Sequence, residues 1–228
     1  MNVAIIPARF GSKRIPKKNI KPFLGKEIIA YSIKSAIESD CFDAVFVSTD
    51  SDEISAIAKK YGAICERLRP AELSDDFVST TEVVRYEINQ LLNSGMQLDI
   101  VAEIYATAPL MKPEFIRRGL SKLLSLDSPS YVFSAVEFEF PVQRGFKITN
   151  EGCEALNPEA FASRSQDLPH IYHDAAQFYI ANYQTWLEHD LCFNQMACPL
   201  ILPREYVVDI DTDSDWKIAE AIAKHHME

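Results

Sequence analysis

The chain has 228 residues, of which 47% are hydrophobic and 25% charged, and its formal net charge at pH 7 is −10. This length and composition suit a globular chain that buries a sizeable core, and the acidic balance argues against a nucleic-acid-binding protein, whose basic residues would cover a broad face. No apolar run reaches the length of a signal-peptide core or a membrane span, and the five cysteines include no C-x-x-C pair, which favours a reducing cytoplasm over a disulfide framework or a zinc site.

Short apolar runs alternate with amphipathic stretches of helical length through the first half of the chain. Strands are predicted at 3–6, 44–49 and 100–107, and helices at 27–39, 51–63, 79–95 and 113–126. Alternating strands and helices are typical of the α/β class, in which helices flank a mostly parallel sheet.

The alternation stops after about residue 135. Residues 138–177 contain three prolines and no long period, and we expect them to form an inserted arm or subdomain of a single domain spanning 1–228. Beyond this arm, residues 177–181 are predicted to be a strand, and residues 205–226 a strand that leads into the last helix.

The segment that follows the first strand is strongly basic. Residues 9–26 contain seven Lys or Arg and no acid, although the whole chain is acidic. Open α/β sheets bind ligands at the carboxyl ends of their strands, where this segment lies. A solvated basic surface loop is the alternative to an anion site.

The residue types in this loop suit a phosphate. Gly11 and Ser12 favour a tight turn whose backbone N–H groups point at an anion. Arg9 can form a forked contact with phosphate oxygens, whereas Lys13 and Lys18 act as point charges. The sequence has neither G-x-x-x-x-G-K-[ST] nor G-x-G-x-x-G, so it supports neither a P-loop kinase nor a simple Rossmann dehydrogenase.

An acidic segment, VVDIDTDSDW, lies near the end of the chain. If 207–211 is a strand, Asp209 and Asp211 point to the same face. Two neighbouring carboxylates repel each other unless a cation lies between them, which predicts a Mg²⁺ site; a solvated acidic strand end is the alternative. Thr212 and Asp215 have the spacing of a capping box for the last helix.

The basic loop, IPARFGSKRIPKKNI, resembles the signature of the cytidylyltransferases that activate nine-carbon acidic sugars, the CMP-N-acetylneuraminic acid synthetase family. The resemblance implies a Rossmann-like nucleotidyltransferase fold. It also implies that Arg9, Lys13 and Lys18 hold the triphosphate of CTP, that Asn19 lies near the ribose, and that the two aspartates bind Mg²⁺.

Two further segments extend the resemblance. RPAELSDDFVST (69–80) is similar to the family segment that reads cytosine, which implies base contacts from Arg69 and Ser79. YATAPLM (105–111) occupies the position of Q-P-T-S-P-L-R, with Thr107 matched on the nucleotide side. Tyr105 replaces the glutamine at a sugar-facing position, which indicates a sugar other than N-acetylneuraminate.

The segment YHDAAQFYI (172–180) is similar to the pseudaminic acid branch of this family. The resemblance implies sugar contacts from His173, Gln177 and Tyr179, although a lone histidine beside a strand is more often structural. It also places Arg164 and Gln166 in a dimerisation arm, so we expect a homodimer.

Together these features predict transfer of CMP from CTP to the anomeric hydroxyl of pseudaminic acid, with release of pyrophosphate. Arg9, Lys18, Asp209 and Asp211 are the predicted catalytic residues. The base that removes the hydroxyl proton stays open between Asp209 and a metal-bound hydroxide. The same reaction on N-acetylneuraminic or legionaminic acid, and a non-catalytic nucleotide or sugar sensor, are the alternatives.

Overall fold

A computed structural model describes residues 1–190 and 193–227 of the chain. Its strands are β1 (Val3–Pro7), β2 (Pro22–Phe23), β3 (Lys26–Glu27), β4 (Ala44–Ser48), β5 (Ile100–Ile104), β6 (Tyr131–Glu137), β7 (Phe146–Thr149), β8 (Gly152–Ala155), β9 (Tyr172–Asn182) and β10 (Ala197–Ile201). Its helices are α1 (Ile29–Glu38), α2 (Asp52–Lys60), α3 (Thr80–Asn93), α4 (Pro113–Leu124), α5 (Tyr183–Glu188) and α6 (Asp213–Met227).

Six strands form the central sheet in the order β10-β6-β9-β5-β1-β4. The pairs β1–β4, β1–β5 and β6–β10 are parallel, whereas β9 runs antiparallel to both of its neighbours. The predicted α/β class with a mostly parallel sheet is therefore confirmed, with one reversed strand near its middle.

Helices cover both faces of this sheet. On one face, α1, α2 and α4 bury apolar residues such as Ile33 and Ile116 against the even-numbered side chains of β1. On the other face, α3 and α5 bury Ile88 and Trp186 against its odd-numbered side chains. Because both faces are covered, the inner strands read as continuous apolar runs rather than alternating ones.

A third apolar cluster fixes the last helix. Trp216 and Ala219 of α6 pack with Ile15, Phe23 and Ile210 beyond the end of the sheet. Thr212 and Asp215 form the predicted capping box, with the Asp215 backbone N–H donating to the Thr212 hydroxyl at 3.3 Å and the Thr212 N–H donating to the Asp215 carboxylate at 2.7 Å. Among the described residues, no helix combines the length and apolarity that crossing a bilayer requires.

The predicted strands differ from the observed ones in two respects. Residues 207–211 form no strand but an irregular segment after a 3₁₀ turn, because the apolar run has no neighbouring strand and Ile210 is buried beside α6 instead. The strands β6 and β10 were not predicted, and both lie in the part of the sheet beyond β9.

Residues 138–171 form the segment that connects β6 to β9. It contains the β7–β8 hairpin, in which seven of the eight strand residues are exposed, and it returns to the sheet through the start of β9. The four described cysteines are free thiols, while Cys192 lies outside the described residues.

Candidate active site

A cavity of about 480 Å³ opens at the carboxyl ends of β1 and β5. These two strands are parallel neighbours, so the loops that follow them meet at one edge of the sheet. The cavity lining includes eight residues that the sequence predicted for ligand binding: Arg9, Ser12, Lys13, Lys18, Asn19, Arg69, Tyr105 and Thr107.

The basic loop is held in shape by its apolar and amide side chains. Ile15 and Phe23 are fully buried against α6. The side-chain amide of Asn19 donates a hydrogen bond to the carbonyl oxygen of Arg9 at 2.8 Å, which ties the two ends of the loop together. Lys17 adopts the left-handed conformation, with a φ of 52°. The cations therefore extend from a defined loop.

Two of these cations share one carboxylate. Lys13 and Arg9 both form ion pairs with Asp76, and Arg9 also donates to the Asp75 carbonyl oxygen at 3.0 Å. The contact with Lys13, and then that with Arg9, lowers the pKa of Asp76. These pairs lie at the surface, where a competing anion can replace the carboxylate at little cost.

A second acidic segment contacts the opposite side of the loop. Lys18 donates to the Ile210 carbonyl oxygen at 2.8 Å and lies 3.3 Å from the Asp211 carboxylate. Arg14 donates to Asp211 at 2.6 Å. Lys18 is thus a shared contact between the cavity and the segment that carries both predicted metal ligands.

Asp209 and Asp211 influence each other without a strand to align them. Loss of hydration raises the pKa of Asp209, and the charge on Asp211 raises it further, while Lys18 acts in the opposite direction. This repulsion is what a divalent cation between two carboxylates would relieve. Oxygen ligands of this kind, completed by phosphate oxygens, are those that Mg²⁺ uses in nucleotide sites.

Arg69 contributes a buried guanidinium to the cavity. Its residue is only 5% exposed, and its Nε donates to the Ser74 hydroxyl at 3.1 Å. Burial lowers the pKa of Arg69, opposed by the negative charges of Asp50 and Glu87. Because an arginine stays charged even with a lowered pKa, it offers fixed donors to a ligand's acceptors.

A set of phenol and carboxyl groups continues from Tyr105 into β9. The Tyr179 hydroxyl donates to the Asp174 carboxylate at 2.6 Å. Burial raises the pKa of Tyr105 and of Tyr179, and nearby acids raise both further. Both phenols therefore stay neutral near neutral pH and keep a hydroxyl proton that can be donated.

Glu103 is the most unusual group in the cavity. It lies on β5, its residue is 1% exposed, and neither carboxyl oxygen has a hydrogen-bond partner of normal geometry among the described residues. Burial raises the pKa of Glu103 to about 7, while the nearby Thr80 hydroxyl lowers it and Asp174 raises it further.

Several predicted ligand-binding residues do not line this cavity. The Ser79 hydroxyl is engaged in the capping box of α3, accepting from the Glu82 backbone N–H and donating to its carboxylate. The side chain of Gln177 donates to the Tyr206 carbonyl oxygen at 2.6 Å. His173 contacts the Asp174 carbonyl oxygen and packs on Phe138. The other predicted residues outside the cavity lining are Gly11, Tyr179, Asp209 and Asp211.

The family model described as "Cytidylyltransferase" matches residues 3–226. The chain belongs to the cytidylyltransferase family. It is 43% identical over 224 residues to a pseudaminic acid cytidylyltransferase of Campylobacter jejuni, covering 98% of this chain and 96% of the relative. It is 32% identical to a CMP-N,N'-diacetyllegionaminic acid synthase of Legionella pneumophila, covering 99% and 97% of the two chains.

A solved structure of CMP:2-keto-3-deoxy-manno-octonic acid synthetase complexed with CTP has the same fold. The two chains superpose with a TM-score of 0.70 over 99% of each, at 14% sequence identity. This likeness confirms the Rossmann-like nucleotidyltransferase architecture, and at that identity it carries no residue assignment.

Sequence reasoning missed two contributors to the site of this cytidylyltransferase. One is Arg14, whose ion pair with Asp211 links the basic loop to the acidic segment. The other is Glu103, for which a signal was present: it is the single charged residue in the strand IVAEI, whose five residues are all buried.

The raised pKa of Glu103 predicts a pH-dependent effect on stability. In the folded state Glu103 keeps its proton up to about pH 7, whereas an unfolded glutamate loses it near pH 4.5. The contribution of this group to the free energy of unfolding is therefore fully present below pH 4.5 and is lost as the pH rises through 7. Glu103→Gln removes this titration. We expect the variant to gain stability relative to the wild-type chain by on the order of 3 kcal/mol between pH 4.5 and 8.

Urea unfolding of both proteins at several pH values measures this difference. Comparing the two proteins cancels the titration of every other group, including Asp209. Stability profiles that stay parallel from pH 5 to pH 8 would contradict the assignment.

Proposed function

We propose that this chain transfers CMP from CTP to the anomeric hydroxyl of pseudaminic acid, releasing pyrophosphate. The observation that carries the proposal is the cavity in which the basic loop, Arg69 and Tyr105 converge, in a chain that is similar over its length to a pseudaminic acid cytidylyltransferase. The absence of acids from residues 9–26 suits a triphosphate.

In the proposed reaction, the sugar hydroxyl oxygen forms a bond to the α-phosphorus of CTP. The bond from this phosphorus to the bridging oxygen of pyrophosphate breaks, and the hydroxyl proton leaves to a base. Arg9, Lys13 and Lys18 neutralise the charge that develops on the phosphate oxygens, and the loop positions them before the reaction begins. Asn19 holds the loop and borders the ribose.

Asp209 and Asp211 are proposed to hold Mg²⁺ together with phosphate oxygens. Two carboxylates in mutual repulsion, next to a phosphate-binding loop, fit the oxygen-rich coordination of this ion. When bound, Mg²⁺ would supply further neutralisation of the triphosphate charge. Binding would require Asp211 to break its ion pairs with Arg14 and Lys18. These two cations can then pair with the phosphate oxygens of the triphosphate.

The acceptor sugar is proposed to lie beside Tyr105. This residue replaces the glutamine of the sialic acid enzymes and lines the cavity. Its backbone N–H donates to the Gln177 carbonyl oxygen at 2.9 Å, so β9, which carries the other predicted sugar contacts, is its neighbour in the sheet; this supports the proposal. Tyr179 and His173 belong to the same segment.

We also propose that the chain forms a homodimer through the arm 138–177. Five large apolar side chains of this arm are at least half exposed: Phe140, Phe146, Ile148, Leu156 and Phe161. Large apolar side chains left exposed on one segment are expected where that segment contacts another chain. We also propose a cytoplasmic location, which the four free thiols of the described residues support, because a reducing compartment keeps cysteines in this state.

Incubation of the protein with CTP, Mg²⁺ and each of three sugar acids tests the proposed activity. Pseudaminic, legionaminic and N-acetylneuraminic acids are supplied separately, and products are identified by mass spectrometry. We expect a CMP adduct with pseudaminic acid. An adduct only with another sugar would keep the reaction and refute the acceptor, whereas no adduct from protein that still binds CTP would favour the sensor alternative.

Lys18→Ala tests whether the loop acts through specific positions or through general charge. Removing one preorganised donor to a transition-state anion typically costs about 10²–10³-fold in rate, and we expect a loss of this size in kcat/KM. Lys26→Ala is the matched control, because it removes the same charge from β3, outside the cavity lining. Equal losses of kcat/KM in the two variants would contradict the proposal and indicate that the loop is only a solvated basic surface.

Ile148→Asp tests the proposed dimer. Ile148 is 86% exposed on the hairpin of the arm, and a carboxylate in a dimer interface would be buried without a partner. We expect light scattering to give twice the chain mass of 25.8 kDa for the wild type and a single chain mass for the variant. Leu124→Asp, at a 69% exposed position on α4, is the control; a monomeric wild type would refute the dimer.

A further inference from the structure

The buried carboxyl group of Glu103 has no function in the reaction proposed above. Burying a polar group without a hydrogen-bond partner is unfavourable, and such groups in folded proteins call for an explanation. Neither oxygen of Glu103 has a hydrogen-bond partner of normal geometry in the described part of the chain, although the Thr80 hydroxyl lies nearby, and the residue lines the cavity. A bound ligand is therefore the natural source of its partner.

The register of β5 decides which part of the cavity Glu103 faces. Val101 packs in the cluster beneath α3, and Ala102 in the cluster on the opposite face. Because strand side chains alternate, Glu103 points toward α3. Thr80, at the first turn of that helix, lies close enough to influence the carboxyl group, and the charge of Glu103 in turn acts on Tyr105. Glu103 therefore lies where the part of the cavity formed by residues 69–83 meets Tyr105.

The lining contributed by residues 69–83 differs from the basic loop. It presents apolar side chains from Leu73, Val78 and Val83, the guanidinium of Arg69 and the hydroxyl of Thr80, whereas Asp75 and Asp76 line it where it meets the basic loop. Phosphates are disfavoured beside a carboxyl group, whereas apolar walls with a few polar groups suit a planar nitrogen heterocycle. In a nucleotide complex the base would therefore lie here, with the triphosphate at the basic loop.

Cytosine has the matching polar edge. Its ring nitrogen and carbonyl oxygen accept hydrogen bonds, and its exocyclic amino group donates them. Arg69 can donate to the acceptors, and the carboxyl group of Glu103 can accept from the amino group. A cytosine amino group favours the ionised form of the carboxyl group that accepts from it. Uracil carries a carbonyl oxygen at this position, which an ionised Glu103 repels, so the discrimination is expected above pH 7, where Glu103 loses its proton.

We propose that Glu103 determines base specificity by accepting a hydrogen bond from the amino group of cytosine, so that the site prefers CTP to UTP. This inference rests on the proposed function, since it assumes that a nucleotide occupies the cavity. It assigns the discrimination between cytosine and uracil to a buried residue of β5 rather than to the exposed loops.

Calorimetric titration of CTP and of UTP into the wild-type protein and its variants tests this assignment. Glu103→Met and Glu103→Leu remove the acceptor in side chains of different shape, and Glu103→Gln keeps an acceptor oxygen. Loss of one such hydrogen bond predicts that the CTP-to-UTP affinity ratio falls about tenfold in the two apolar variants. The glutamine variant should keep its affinity for CTP and bind UTP more tightly than the wild type does, because its amide group can donate to the uracil carbonyl oxygen. Glu66→Gln, at an exposed position, should leave the ratio unchanged.

Thermal unfolding of each variant accompanies the titrations. Because the apolar replacements remove a buried group without a partner, we expect no loss of stability, which separates a changed site from a damaged fold. An unchanged affinity ratio in a folded Glu103→Met or Glu103→Leu protein would overturn the proposal. Weakened binding of the sugar acid with an unchanged nucleotide ratio would overturn it too, and would assign Glu103 to the acceptor.

The inference and the proposed function can fail separately. Transfer activity in the wild type, with an unchanged affinity ratio in the variants, would keep the function and refute the inference. A wild-type protein that prefers CTP through Glu103 but transfers nothing would refute the function and keep the inference. Binding of neither nucleotide by the wild type would refute both.

Discussion

The contact between two buried apolar side chains, Ile15 and Phe23, and the last helix is the interaction on which the site depends. Both side chains are fully buried and pack with Trp216 of α6. Without this contact, the repulsion among seven neighbouring cations would favour an extended loop. With it, the cations lie at fixed positions above the ends of β1 and β5, and the C-terminal segment is drawn over the same edge of the sheet.

The charges of the site follow from this arrangement. Asp76 and Asp211 lie on opposite sides of the loop and pair with its cations, so the positive charge is compensated from within the chain. Surface pairs of this kind contribute little to stability and can be exchanged for phosphate oxygens. Arg69 and Glu103, by contrast, are buried. We expect them to discriminate between ligands through hydrogen bonds, whereas the exposed cations attract anions of any kind.

How much the sequence could predict differs between elements for identifiable reasons. The helices that carry strong periodicity and caps, such as α3 with its Ser79–Glu82 capping box, were predicted to within a few residues. The basic loop was predicted because charge imbalance is visible without a structure. The strand predicted at 207–211 was wrong because β-branched residues indicate a strand only where a neighbouring strand exists to pair with it.

Long-range geometry accounts for the rest. The antiparallel direction of β9 depends on its place between β5 and β6, which local periodicity does not specify. The sequence predicted that β5 is a strand, but not how it pairs or that Glu103 lies beneath α3. The lack of well-formed hydrogen bonds to the Glu103 carboxyl group could therefore not be predicted.

A crystal structure of the protein with CTP and Mg²⁺ would test the central claim most directly. The claim is that the loop fixed by Ile15 and Phe23 is the triphosphate site. It predicts phosphate oxygens within hydrogen-bond distance of Arg9 and Lys18, with Asp76 and Asp211 released from at least one of their present pairs. A triphosphate bound elsewhere, with these ion pairs intact, would contradict the account.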